Sequence, residues 1–435
     1  MTWRGSPPAG GDADPTGTGG ALVAPAGRPS GGHAGGARPR IVGVDVARGL
    51  ALVGMMAVHV FDTFDHDGRA SLATVVAAGR SAATFALLAG VSLSWITGGP
   101  RTLRERNRIA VAGAVAARAL CIGAIGLALG FVGDVAVILP YYAMFFLLAI
   151  PLLSLGPRVL AFAAAGIAVV VPVLMQATGS NPLGTRPGNP TFPLLVEHPA
   201  RFLDKLLVTG TYPALVWMAY ICAGLAIGQL DLASTRVAAW LFGAGLAVAV
   251  SAWLTSSVLL FPLGGLRHLR DAASAHADGP SATSVILWDP DRTSSSWWWL
   301  AVRAPHSSTP IDLLHTLGSA TALLGAALLV TRAALIARLL FPVAAAGSMT
   351  LTLYSTHVLF LATGILSDQQ AALYVVMVVV SLVFAAAWRR VTGRGPLEAA
   401  VTAAAGRAYR VISSRAISSA RSPSAGRRGV RRPER

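Results

Sequence analysis

The sequence has almost no cysteine and little that carries charge. Its two cysteines, Cys121 and Cys222, lie far apart inside apolar segments, which excludes a disulfide framework and a thiolate metal site. Charged residues make up only 12% of the 435, against about 25% in soluble domains. No Walker lysine motif, Rossmann fingerprint, HExxH pair or serine elbow stands in a suitable context, so the common soluble catalytic signatures are missing. Residues 1–38, rich in Gly, Pro, Ala and Asp, lack the continuous apolar core of a cleaved signal peptide. They read as a disordered cytoplasmic leader.

What the sequence does have is apolar length. Hydrophobic residues reach 54%, and runs of 18 or more recur, each able to cross a hydrocarbon core about 30 Å thick. Only helices or closed barrels satisfy the backbone in that medium. Runs of Ala, Leu, Val and Gly without alternation favour helices. The expected fold is all-α, a polytopic membrane bundle of about ten spans, over 41–61, 72–97, 111–132, 135–155, 159–176, 206–230, 237–261, 311–331, 339–366 and 371–388. The membrane domain covers 39–392 with a long external loop at 262–308, and 393–435 reads as a basic cytoplasmic tail, largely disordered.

Loop charge sets the orientation. The stretch RTLRERNR, Arg158, Arg236, the pair Arg332 and Arg338, and WRRVTGR all fall on one side, which the positive-inside rule makes the cytoplasm. Both termini are then cytoplasmic. The net charge of +16 is topology information in such a chain, and no nucleic-acid partner is expected. The polybasic end, Arg407 to Arg435, reads as the same inside signal or as a contact with anionic lipids. Trp297, Trp298 and Trp299 ahead of a span fit a headgroup anchor, with sugar stacking as the sharper alternative.

Ionisable residues inside spans are costly, about 2.5–3.5 kcal/mol each on insertion scales, so each asks for a partner or a task. Asp45 and Arg48, three apart in DVARGLALVGMMAVH, share a helix face and form either an entry salt bridge or a hold for an anionic ligand. His59 lies near the outer end of that span, and His66 follows in FDHDG beside Asp65 and Asp67. A histidine flanked by carboxylates can serve as a base near neutral pH, unless the loop is simply a solvated acidic turn. Arg80 in GRSAATFALLAGVSLS, Asp312 and His315 opening the eighth span, and Tyr354 and His357 in GSMTLTLYSTHVLF complete the set. His59, Arg80, His315 and His357 are expected at similar depth in the outer half, converging on one polar cavity. The spacings Gly79, Ala83, Gly90 and Gly123, Gly126, Gly130 read as close helix packing.

Through DVARGLALVGMMAVH and GRSAATFALLAGVSLS the sequence resembles the heparan-alpha-glucosaminide N-acetyltransferase family of membrane acetyltransferases, in its actinobacterial form. Through GSMTLTLYSTHVLF and WRRVTGRGPLE its last third resembles YeiB-like bacterial membrane proteins of unknown function. The first resemblance implies a plasma-membrane enzyme that takes an acetyl group from cytosolic acetyl-CoA. It would deliver the group to an amino sugar or glycan acceptor on the far side. It implies a histidine soon after the first span as the base, His66 or His59; on the acyltransferase reading Asp45 and Arg48 stand near the CoA end and Arg80 orients a carbonyl or the acceptor. Asp312, His315, Tyr354 and His357 would line the substrate cavity. The bilayer, acetyl-CoA and the acceptor are the implied partners, with homodimerisation open and no metal required. A transporter or flippase is the alternative, since buried charges also line translocation paths. A scaffold or histidine sensor is a third.

Overall fold

The computed structural model describes residues 41–98, 108–133, 135–179, 188–273, 282–289 and 294–421. The expected leader, all of RTLRERNR but Arg108, part of the long external loop and residues 422–435 lie outside the described residues. Among the described residues there is no strand, only a bridge between Phe64 and Ala70. The helices that build the bundle are, in chain order, α1 (Val42–Val60), α2 (Leu72–Ala77), α3 (Arg80–Thr97), α4 (Arg108–Leu129), α5 (Leu139–Ala149), α6 (Pro157–Ala177), α7 (Pro199–Asp204), α8 (Ala214–Ile227), α9 (Thr235–Leu260), α10 (Pro310–Val330), α11 (Phe341–Gly347), α12 (Thr350–Leu361), α13 (Gln370–Val391) and α14 (Pro396–Arg421).

Seven helical stretches among the described residues are long and apolar enough to cross a membrane, counting α2 and α3 as one. The ten expected spans therefore resolve less uniformly than hydropathy suggests. The sixth is a bent unit, Pro199–Thr209 followed by α8 at 55°, because Gly210 and Pro213 interrupt the helical hydrogen bonding between them. The fourth and ninth are shorter apolar helices, Leu139–Ser154 and α12. Ser348 and Met349 separate α12 from α11. Several helices open with proline at the first or second position, among them α5, α6, α10 and α11, where its missing N–H leaves no bond unmade.

The tail corrects the sequence reading. Residues 396–421, expected to be largely disordered, form α14, which packs along α4. Glu398 in its first turn accepts from the backbone N–H groups of Leu351 and Thr352 at 2.7 and 3.2 Å and from Thr352 Oγ1 at 2.6 Å. A carboxylate at the start of α12 satisfies donors that a helix cannot satisfy itself. Low mean apolarity hid this helix, because its Ala, Val and Ile positions cover one face only.

Helices α1, α2 with α3, and α10 form the centre, with half or more of their apolar windows buried, whereas only 17% of the α13 window is buried. Val375, Val379, Val380 and Val383 of α13 are exposed, as lipid-facing residues are. Small residues bring the central helices together. Gly90 of α3 meets Gly224 of α8, and Gly245 of α9 meets Gly318 of α10, each so closely that a β-carbon would strike partner backbone. At Gly347 an added β-carbon would collide with the Asp45 carbonyl and lie 2.7 Å from the Gly49 nitrogen. Gly347→Ala is expected to destabilise the protein by about 1–3 kcal/mol through overpacking, read as a lowered melting temperature in detergent. An unchanged melting temperature would show that α1 and α11 are not held this tightly.

Beyond α9 the chain builds a small cap from short helical segments Gly265–Ala273, Ala282–Trp288 and Trp297–Ala301. Its apolar cluster includes Leu260, Leu266, Ile286 and Trp299. The three tryptophans divide their work. Trp297 is exposed, Trp298 stacks on His268 with ring centroids 5.6 Å apart, and Trp299 is buried, so only the first suits a headgroup anchor.

Candidate functional site

At the end of α1 distant from Asp45, His59 meets His357 of α12, with His59 Nδ1 2.9 Å from His357 Nε2. Their tautomers follow from the next partner. His357 Nδ1 lies 3.3 Å from the Leu353 carbonyl oxygen, which only accepts, so Nδ1 carries the proton and Nε2 holds a lone pair. His59 must then donate from Nδ1, and its own Nε2 keeps a free lone pair. Tyr354 stands edge-on to both rings, at 6.3 Å from His59 and 5.0 Å from His357. Its hydroxyl accepts from the Ile138 N–H at 3.3 Å. His357 is 3% exposed, whereas His59 keeps accessible surface. A ring so fixed has a free nitrogen that can accept a proton.

A second pair forms beside the first. Arg80, the first residue of α3, donates to His315 Nε2 at 2.9 Å and to the Val75 carbonyl at 2.6 Å. His315 Nδ1 donates to the Ala249 carbonyl at 3.0 Å, so this imidazole too is a neutral acceptor toward its arginine. Gly79 makes the geometry possible. Its φ of 71° turns the chain between α2 and α3, a conformation that glycine alone adopts without steric cost. Asp312 lies within electrostatic reach of Arg80 and accepts from the Ser308 N–H at 3.3 Å. Thr309 caps α10 by accepting from the Asp312 N–H at 3.1 Å. The expected single gathering of four residues is thus two hydrogen-bonded pairs, His59 with His357 and Arg80 with His315.

The loop 302–309 lies against Gly79 and Asp312, beside the second pair, and the sequence reading passed it over. His306 stacks on Trp217 at 5.9 Å and stands edge-on to Tyr212 at 5.2 Å. It is close enough to His59 to interact electrostatically. Burial pushes the His306 imidazole down to about 4, so it is neutral near pH 7. Its Nδ1 is buried without a hydrogen-bond partner among the described residues.

His66 lies elsewhere. It is exposed, in the turn between α1 and α2. The neighbouring Asp65 carboxylate spends its oxygen on the backbone N–H groups of Asp67 and Arg69, at 3.0 and 2.8 Å. The structure does not bring His66 to the histidine pair.

At the opposite end of α1, Asp45 sits 3.6 Å from Arg48, as the spacing of three suggests, and 3.8 Å from Arg389 of α13. Arg48 also bonds Ser92 and donates to the Leu88 carbonyl at 3.3 Å. Arg118, which the sequence reading also missed, lies in the middle of α4 near Arg48 and Glu398. It makes no hydrogen bond or ion pair among the described residues. An arginine inside an apolar span is itself the signal that finds it. Between the two ends stands Tyr142 of α5, within electrostatic reach of both Arg48 and Tyr354. Its hydroxyl is buried and has no hydrogen-bond partner among the described residues. Arg48 and His59 are eleven residues apart on one helix, or about 16 Å along its axis. Among the described residues no three His, Cys, Asp or Glu side chains gather closely enough to hold a metal ion.

Residues 40–262 match the family model described as heparan-alpha-glucosaminide N-acetyltransferase, catalytic. The match covers just over half of the chain and includes Asp45, Arg48, His59, Arg80 and Arg118. It ends before His306, Asp312, His315, Tyr354 and His357, and before the segments that resemble YeiB-like proteins. No curated protein shows a significant match to the chain.

Proposed function

Because the chain belongs to the heparan-alpha-glucosaminide N-acetyltransferase family and is a multi-pass membrane acetyltransferase, we propose that it carries an acetyl group across the bilayer. The donor is cytosolic acetyl-CoA, and the acceptor is an amino sugar or a glycan hydroxyl on the extracytoplasmic side. The protein lies in the plasma membrane with both termini cytoplasmic, the orientation that the basic loops favour. The observation that carries the reading is the His59–His357 pair, whose hydrogen bonding leaves His59 Nε2 free.

The inner end suits an extended anionic donor. Asp45 lies between Arg48 and Arg389, and Arg118 adds a guanidinium that makes no hydrogen bond or ion pair among the described residues, with Glu398 in electrostatic reach. Arginine binds phosphate oxygens through paired donors. Tyr142 offers an unpaired hydroxyl on the way to the histidines, where a polar group of the donor arm satisfies it.

At the outer end His59 Nε2 takes the proton from the acceptor amine or hydroxyl as its nitrogen or oxygen attacks the thioester carbonyl. The new C–N or C–O bond forms, the C–S bond breaks, and the sulfur leaves as thiolate. The proton on His59 then passes to that sulfur, so acetyl-CoA and acceptor become acetylated acceptor and CoA thiol. His357 holds the charged His59 through the shared hydrogen bond, in the manner of an orienting residue behind a base. Arg80, fixed by His315, supplies positive charge toward the carbonyl oxygen as it becomes anionic.

The test uses the full chain in proteoliposomes with acetyl-CoA labelled in the acetyl group outside and glucosamine inside, and counts acetylglucosamine in the lumen. Labelled product is expected in those vesicles whose inner face of the protein meets the donor. Counterflow of glucosamine without acetyl-CoA, with no labelled product, would replace the enzyme by a transporter.

A further inference from the structure

The loop 302–309 holds more polar capacity than the fold uses. Ser307, Ser308 and Thr309 are each 4% exposed or less, yet the Ser307 and Ser308 hydroxyls and His306 Nδ1 have no hydrogen-bond partner among the described residues. Buried polar groups in a native protein are nearly always paired, so a cluster of three unpaired ones marks a place where water or a ligand completes the set. The backbone agrees. His306 and Ser308 have φ of 61° and 54°, left-handed values that favour glycine for stability alone. Side chains kept at such positions are characteristic of functional sites.

The imidazole is held as a fixed element. Trp217 packs against its face and Tyr212 against its edge, and Trp217 is backed on its other side by Phe145, stacked at 6.1 Å. His306 nonetheless keeps accessible surface. The same loop reaches the neighbours of both hydrogen-bonded pairs. A β-carbon at Gly79, next to Arg80, would lie 3.4 Å from Pro305, and Ser308 donates to Asp312. Tyr212, edge-on to His306, and Tyr354, edge-on to His59, both donate to the Ala136 carbonyl, at 3.4 and 3.5 Å.

We propose that His306 is an acceptor-positioning residue, hydrogen-bonding a hydroxyl or amine beside the attacked position and so turning the nucleophile toward His59 Nε2. The inference rests on the acetyl-transfer reading and extends it to a segment outside the family match. The site takes a compact molecule with several adjacent hydroxyl or amine groups, because His306 Nδ1, Ser307 Oγ and Ser308 Oγ are three unpaired hydrogen-bonding groups within three consecutive residues. A simple alkyl amine or alcohol offers one group and leaves the others unmet.

The test compares wild type, His306→Ala and His306→Asn, each as full-length protein in detergent, with acetyl-CoA as donor and glucosamine as the acceptor probe. His306→Ala is expected to raise the KM for glucosamine about tenfold while the KM for acetyl-CoA moves less than about twofold. His306→Asn, which keeps a hydrogen-bonding group of similar reach, is expected to recover most of the loss. An unchanged glucosamine KM in His306→Ala would overturn the proposal. So would a proportional loss with both substrates accompanied by a lower melting temperature, which marks a packing residue. A wild type that acetylates no acceptor sinks the acetyl-transfer reading itself, an outcome distinct from an active wild type that is indifferent to His306.

Discussion

Replacing His59 with alanine is expected to lower acetyl transfer to an acceptor by about 10²- to 10⁴-fold, the range in which a positioned general base contributes. The loss should fall on turnover, with little change in the KM for acetyl-CoA, because Arg48, at the other end of α1, lies about 16 Å away along the helix. The reason is specific to one nitrogen. The chain of donors from His59 to His357 to the Leu353 carbonyl leaves a lone pair at His59 Nε2 and nowhere else in the pair. His357→Gln keeps an acceptor oxygen for the His59 Nδ1–H and is expected to retain more activity than His357→Leu, which removes it and frees the tautomer. His66→Ala should leave turnover within about twofold of wild type, since an exposed turn residue with no contact to the pair changes little. The decisive measurement is turnover of the single variants at saturating donor. Loss in His66→Ala with retention in His59→Ala would move the base to the loop and dismiss the pair.

How much of this was legible in the sequence depends on what each residue costs where it stands. His59, Arg80, His315 and His357 announce themselves because an ionisable side chain in an apolar span is expensive. Their rough depth follows from helix rise. Their pairing does not, because rotation of each helix about its axis is set by tertiary packing such as the Gly90–Gly224 and Gly245–Gly318 contacts. His306 was invisible for the opposite reason. In the polar stretch between two spans a histidine costs nothing by composition, and only the folding of 302–309 into the bundle makes it expensive. The acidic setting of His66 is legible in the sequence, but its place in an exposed turn, with Asp65 Oδ1 accepting from backbone N–H groups, is set by the folding of that turn. In the fold, apolar length found the seven helical stretches among the described residues that are long and apolar enough to cross a membrane. It missed α14, where the apolar face is one stripe, and it overstated the regularity of the sixth and ninth spans, where Gly210, Pro213 and the Ser348–Met349 break interrupt the helices.

Arg118→Leu is expected to do two things that seldom go together, raising the melting temperature of the free protein while raising the KM for acetyl-CoA about a hundredfold. A guanidinium in an apolar helix costs up to about 2.5–3.5 kcal/mol on insertion scales, and leucine removes that cost while keeping the volume packed. Stabilisation follows because Arg118 makes no hydrogen bond or ion pair among the described residues, and Glu398, the carboxylate in electrostatic reach, is already engaged by Leu351 and Thr352. The neighbouring Arg48 adds to that cost, since two cations in reach of each other repel and a bound phosphate relieves the repulsion. Charge-assisted bonds to a phosphate contribute about 1.5–3 kcal/mol each, so losing one guanidinium accounts for a change of that size in donor binding. Arg118→Lys restores the charge without the planar fork and should fall between the two. Unfolding followed with and without CoA separates the contributions. The wild type should gain stability on adding CoA and Arg118→Leu should gain little, so that the two melting temperatures converge or cross. If the leucine variant is instead less stable in the absence of CoA and keeps the donor KM of wild type, Arg118 is a structural residue, and the donor's anionic end must be held by Arg48 and Arg389 alone.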